Sequence, residues 1–344
     1  QSAAASAPGQ SSIALLAVDS PAVVLSELTL EAAEGSGGRD ASRHPDFAVK
    51  GAPGNPGQDA CSPDPSGGAA VLTGCDDAIT SEGGQGGDGS PDPAGVPSNG
   101  ASGTPLSLEN FGQAQTEAEP CTDGDKGRAG NSTETHPYAA GTAAAGAVAD
   151  AQGRLGPTGY LPADGRPGSP GEPGQGGGGG GGARSPEYCS SEAPRTGASG
   201  GSGGAGGCGG QGGAGGGGGG ASIALALVHS PMTLDCVSLI AQSGGAGAKG
   251  AEGQGGGGGG VPGLGGGGTP NACRGGLGGA GGNGGPGSGG AGGPSLGIAY
   301  VGQAPVTTDL TTSVSPTAAP GGAAVPGGSA GPSGPTAAEL GLGE

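Results

Sequence analysis

Histidine, serine, carboxylate and cysteine side chains are the groups in this chain that could do chemistry, and their spacing argues against an enzyme. His44, His136 and His229 stand far apart in sequence. His229 also occupies a corner of a structural repeat that carries Asp19 and Gly302 in its sister copies, a poor place for a catalytic base. G-x-S-x-G occurs at residues 200–204 and again at 327–331, but neither sits on a strand-to-helix elbow. With 94 glycines in 344 residues such matches, and GxGxxG with them, arise by chance. We expect no catalytic and no cofactor-binding residue.

The best-spaced metal ligands lie in DGDKGRAGNSTE, where Asp123, Asp125, Asn131 and Glu134 take the first, third, ninth and twelfth places of an EF-hand-like Ca2+ loop. The place that demands glycine is Arg128, and no helix flanks the segment, so a solvated acidic loop is the plainer reading. The seven cysteines form no CxxC pair and no Cys/His cluster, which argues against zinc and for disulfides. Cys61 with Cys75, and Cys189 with Cys208, would close short loops, worth about 3 kcal/mol for a loop of about 15 residues. Cys121, Cys236 and Cys273 remain, and an odd total leaves one thiol free or bonded to another chain.

The elements that must position these groups are repeated. SIALLAVDSP from Ser12, SIALALVHSP from Ser222 and SLGIAYVGQAP from Ser295 are copies of one another, each followed by a β-like run: VVLSELTL, MTLDCVSL or VTTDLTTSV. Alternation puts Ile13 and Leu15, then Ile223, Leu225 and Leu227, then Leu296, Ile298 and Tyr300 on one face. The other face is small and apolar, with Leu16 as its one large intruder. Strands apolar on both faces are covered on both faces, as in parallel sheets. This pattern predicts an all-β chain with almost no α-helix, built on a short right-handed parallel β-solenoid of about three rungs. Antiparallel hairpins in a sandwich are the alternative.

Between the copies glycine recurs at every third position, most clearly from Gly275 to Gly293. A period of three fits the polyproline II helix, which has no internal hydrogen bonds. Such helices can bond one another side by side, because glycine leaves nothing between the backbones. We expect the long insertions to form a polyglycine II bundle. Against this stand 31 prolines and only 2% aromatic residues, a composition usual in disorder.

The chain divides into a first rung at 1–42, an acidic Pro/Gly-rich insertion at 43–221 that ends in polyglycine, a second rung with its glycine segment at 222–294, a third rung at 295–316, and an extended tail at 317–344. An Ala-rich stretch at 139–151 is the one short-helix candidate, interrupted by Gly141 and Gly146. No apolar run is long enough to span a bilayer. A net charge of −18 disfavours nucleic acid and anionic membranes as partners.

ASIALALVHSPMTLDCVSLIAQSGGAGAKG and GGLGGAGGNGGPGSGGAGGPSLGIAYVG together resemble the glycine-rich, PGRS-like secreted surface proteins of bacteria, in which β-helix rungs alternate with Gly-Gly-X inserts. The glycine segments separately resemble the polyglycine II bundles of insect antifreeze proteins and phage tail-tip adhesins. The resemblance implies a secreted or cell-surface location, as do the cysteines and the opening QSAAASAPGQ, which reads as the start of a processed chain. The expected role is an extracellular structural protein, a self-assembling fibre or surface-layer subunit and hence a homo-oligomer or homopolymer. The alternative is a binding module: an adhesin for an unidentified receptor or glycan, or an ice-binding protein.

Overall fold

The computed structural model describes residues 1–75, 80–105, 109–130, 152–190 and 193–343. Among them there is no helix. The strands are β1 (Ser12–Val18), β2 (Val23–Ser26), β3 (Thr29–Ala32), β4 (Val71–Gly74), β5 (Thr80–Gly83), β6 (Arg154–Gly156), β7 (Gly159–Leu161), β8 (Ser222–Val228), β9 (Met232–Asp235), β10 (Ser238–Ala241), β11 (Ser295–Val301), β12 (Val306–Thr308), β13 (Thr311–Ser313) and β14 (Thr336–Gly341). The helix candidate at 139–151 lies outside the described residues.

Each copy gives one strand to each of three sheets, ordered β1-β8-β11-β14, β12-β9-β2 and β13-β10-β3, with every pairing parallel. No sheet closes on itself. The second run of each copy, expected as one strand, is two. Glu27, Cys236 and Asp309 separate them with left-handed φ of 52°, 50° and 48°. The corner before them is left-handed as well, at Asp19, His229 and Gly302. Side chains are costly there, so the corners stay short and polar.

The expected alternation holds only in part. Ala14, Ala224 and Gly297 drop out of the pairing register, and the strand resumes beyond them in the opposite phase. Leu225, Leu227 and Ile298 therefore pack inward with Met232, Leu234 and Leu239. Ile223 and Leu296 face the other way, with Ala226, Val228, Ala299 and Val301, and Ile13 and Leu16 flank that second cluster. Leu16 is thus no intruder. The outer cluster is roofed by Leu155 and Tyr160 of the β6–β7 hairpin and by Leu342. At Gly297 an added Cβ would come within 2.3 Å of Thr312 Cγ2.

The glycine segments run as extended threads bonded sideways. Thread 165–183 donates from Gly174, Gly177, Gly180 and Ala183 to the carbonyls of Gly207, Gly204, Gly201 and Ala198. Gln175, Gly178 and Gly181 donate to Arg128, Asp125 and Thr122. Gly176, Gly179 and Gly182 donate to Thr104, Ala101 and Ser98. Ten consecutive residues, all buried, thus bond three different neighbours in rotation. Their carbonyls accept from three more, including Gly276, Gly84 and Gly112. Thread 197–220 is surrounded in the same way. Its amides donate to threads at 49–58, 84–90 and 273–291, and its carbonyls accept from 245–266, 165–183 and Gly68.

Contacts this close admit no side chain. A Cβ at Gly178 would lie 1.8 Å from the Asn110 oxygen, and one at Gly179 1.8 Å from the Gln85 oxygen. The acidic insertion, whose irregular composition hid its period, contributes threads of its own, because glycine falls on every third position at Gly51, Gly54 and Gly57 and at Gly124, Gly127 and Gly130.

Candidate binding tip of the thread bundle

The long threads begin or end at the strands: 35–60 leaves β3, 243–267 leaves β10, 197–220 enters β8 and 273–294 enters β11. Their reversals therefore fall together at the end away from the sheets. Among the described residues five turns meet there: 61–66, 91–97, 116–121, 184–190 with 193–196, and 268–272. Proline stands in each of them, and glycine is left only at Gly95 and Gly268.

Each turn is fixed by its own side chains. Asp64 Oδ1 accepts from the Ser66 amide at 3.0 Å, and Asp92 Oδ1 from those of Ala94 and Gly95 at 2.8 and 2.7 Å, so in both SPDP sequences the aspartate caps the amide two residues on. Hydrogen bonds from Ser66 hold the Asp64 carboxyl below the ordinary range. Thr116 Oγ1 accepts from Glu119 at 3.0 Å, and Asn271 Oδ1 from Gly268 at 2.8 Å. Arg195 draws the long turn together by donating to the Glu187 carbonyl at 2.7 Å, while Ser185 Oγ donates to the Arg195 carbonyl at 2.7 Å.

Disulfides then tie turn to turn. The bonds are Cys61–Cys189, Cys75–Cys208 and Cys121–Cys273, not the expected Cys61–Cys75 and Cys189–Cys208. Sequence neighbours were the wrong guide, because thread packing sets which turns adjoin. Cys61–Cys189 and Cys121–Cys273 staple the tip, and Cys75–Cys208 ties the β4 end to the central thread. Each closes more than 120 residues, worth on the order of 5 kcal/mol by loop entropy. Cys236 is free and exposed at its corner.

Between the stapled turns lies a groove of about 660 Å³ lined by Gln115, Ser185, Pro186, Glu187, Tyr188, Thr269 and Pro270. Tyr188 is 85% exposed on its rim. Gln115 Oε1 accepts from the Arg184 amide at 2.9 Å, and Arg184 reaches Glu117 at 3.6 Å, so the groove walls are joined. Glu187 in its wall and Glu117 beside it are exposed, as are Asp64, Asp92 and Glu119 elsewhere in the five turns.

The residues singled out in the sequence do not converge here. His44 lies along a thread, with Nε2 3.3 Å from the Gly212 carbonyl, and His229 sits at a corner 3.9 Å from Asp19; His136 is outside the described residues. Ser202 of the first G-x-S-x-G is a buried thread residue whose Oγ accepts from the Asn55 amide at 2.7 Å. The described part of the EF-hand-like segment, 123–130, is extended and not a loop. Gly124, Gly127 and Gly130 run as a thread, and Asp123 is held by Arg274 Nε at 2.8 Å. Asn131 and Glu134 lie outside the described residues. Among the described residues no group of three or more His, Cys, Asp or Glu is placed to hold a metal, and no helix is long and apolar enough to cross a membrane. No protein-family model, curated protein or solved structure matches the chain.

Proposed function

We propose that this is an extracellular binding protein, an adhesin that reads its receptor with the stapled tip. The observation that carries this reading is the gathering of five chemically varied turns at one end of a nearly featureless glycine bundle. Binding residues concentrate on loops held by a rigid scaffold, and here the scaffold has almost no other varied surface at that end. Three disulfides fit an oxidising compartment, which supports an extracellular site of action.

On this reading the three-sheet stack is a short parallel β-solenoid and the threads a polyglycine II bundle. At about 3.1 Å per residue the central thread would carry the tip roughly 75 Å from the sheets. Exposed Tyr188 among carboxylates suits a receptor surface that offers basic and hydrogen-bonding groups around an apolar contact.

The labelled protein, applied to a panel of intact cell surfaces and immobilised glycans, tests this. Binding that salt weakens, and that Tyr188→Ala and Glu187→Gln reduce at unchanged melting temperature, supports it. Binding indifferent to every change in the five turns would remove it. The fibre role expected from the sequence draws its support from the opposite end of the molecule, the open strand edges.

A further inference from the structure

The β stack has two unlike ends. At the copy-one end, among the described residues, the outer edges of β1 and β2 carry no further strand, the Glu31 carbonyl of β3 accepts from the Ser2 amide at 2.9 Å, and Leu15, Val23, Leu25, Leu28 and Leu30 flank the inner core half-buried. At the copy-three end β12 and β13 are likewise open, but β11 is covered by β14. Register shows what β14 is. Thr336 stands in the rank of Ser12, Ser222 and Ser295, and Ala337 in that of Ile13, Ile223 and Leu296. Ser295 donates to the Pro335 carbonyl at 2.9 Å, as Ser222 does to Pro294 and Ser12 to Ala221. PTAAELGL is therefore a fourth, degenerate copy of PSLGIAYV.

Its degeneration is one-sided. Leu340 and Leu342 keep the outer cluster covered, with Leu342 9% exposed. On the inner side Glu339 takes the rank of Leu15, Leu225 and Ile298, and Gly341 that of Leu227 and Tyr300. A carboxylate at the end of an apolar rank disfavours a further strand there. Among the described residues no fourth strand lies on β12 or β13.

We propose that β14 masks a self-association surface. It occupies the slot that β1 of a second copy would take on β11, and it keeps β2 of that copy from reaching β12; β3 of that copy would reach β13 only once the Ser2 amide, which donates to the Glu31 carbonyl at 2.9 Å, leaves its outer edge. The partner that fits the masked end is a second copy of this chain, presenting the copy-one edge in the parallel register already seen between copies. This inference does not depend on the tip.

Sedimentation of the full chain, of a chain ending at residue 334, and of Leu342→Asp, which loses the buried anchor of β14, tests it. Both variants should grow with concentration into open-ended polymers while the full chain does not. Leu25→Lys at the copy-one edge, or an added peptide of residues 332–343, should return them to the full chain's profile. The proposal fails if folded variants sediment as the full chain does, if the full chain itself polymerises head to tail, or if the polymer survives both Leu25→Lys and the peptide.

Discussion

Gly179→Ala isolates the close approach of threads from every other property of the bundle. The new Cβ would meet the Gln85 oxygen at 1.8 Å, where ordinary contact needs roughly 3.5 Å. Gly179 is hemmed in on its other sides, so the 84–90 thread must move by more than 1 Å, which carries its 2.7–3.0 Å bonds beyond hydrogen-bonding distance. Six backbone bonds hold that thread to its two long neighbours: Gly84, Gly87 and Ser90 donate to Gly177, Gly180 and Ala183, and Gly197, Gly200 and Gly203 donate to Ser90, Gly87 and Gly84. At about 1 kcal/mol each, losing half or more of them costs about 3–6 kcal/mol. Gly258→Ala is the internal control, since a Cβ there meets nothing within 4 Å. The same exchange there should be neutral or stabilise by up to about 1 kcal/mol, through the unfolded chain alone. Denaturant unfolding with the disulfides intact measures both. Equal stabilities for the two variants would refute the packing argument.

Two further outcomes concern titration. Burial pushes the Tyr160 hydroxyl well above the ordinary tyrosine range, and its Oη donates to the Gln152 carbonyl. The stability tied to the neutral phenol is therefore complete below about pH 10 and falls as pH rises past it, by up to about 1.4 kcal/mol per unit. Tyr160→Phe should lose that share of the alkaline fall, and an unchanged high-pH profile would show that Tyr160 is not sealed under its hairpin. The carboxylate of Asp235 chiefly, then slight burial, then Asp309 and Glu27, hold the Cys236 thiol above its ordinary range. Asp235→Asn should speed alkylation of Cys236 near pH 8 at low salt, with the gain shrinking as salt is added; identical rates would exclude the electrostatic cause.

Much of the scaffold was legible in residue types. Three copies of one strand pattern gave parallel pairing, and glycine at every third position gave the sideways bonding of threads. The phase slip at Ala14, Ala224 and Gly297 was not, because alternation alone cannot register a residue that leaves the ladder. Threads in 43–130 were hidden by short glycine runs among Pro, Asp and Asn, and a loop-like Asp123 segment concealed the period at Gly124, Gly127 and Gly130. The tip escaped for a different reason: its five turns are scattered over two hundred residues and meet only because alternate threads run in opposite directions. SPDP, present at both Ser62 and Ser90, was the one sequence shared between turns, and in both its aspartate caps the amide two residues on. The fourth copy went unread because Glu339 replaces the large aliphatic residue, Leu15, Leu225 or Ile298, that marks the others, so the tail passed for a free extension although β11 holds it.

The whole account rests on amides in the glycine threads being bonded to other threads and shielded from water. Hydrogen exchange at 175–183 and 199–208 measures this directly. Those amides should be slowed by at least about 10³-fold against an unfolded peptide, because they open only with the bundle, while amides in the exposed 91–97 turn exchange quickly. Exchange at the unfolded-peptide rate throughout 175–183 and 199–208 would contradict the bundle and the tip it carries.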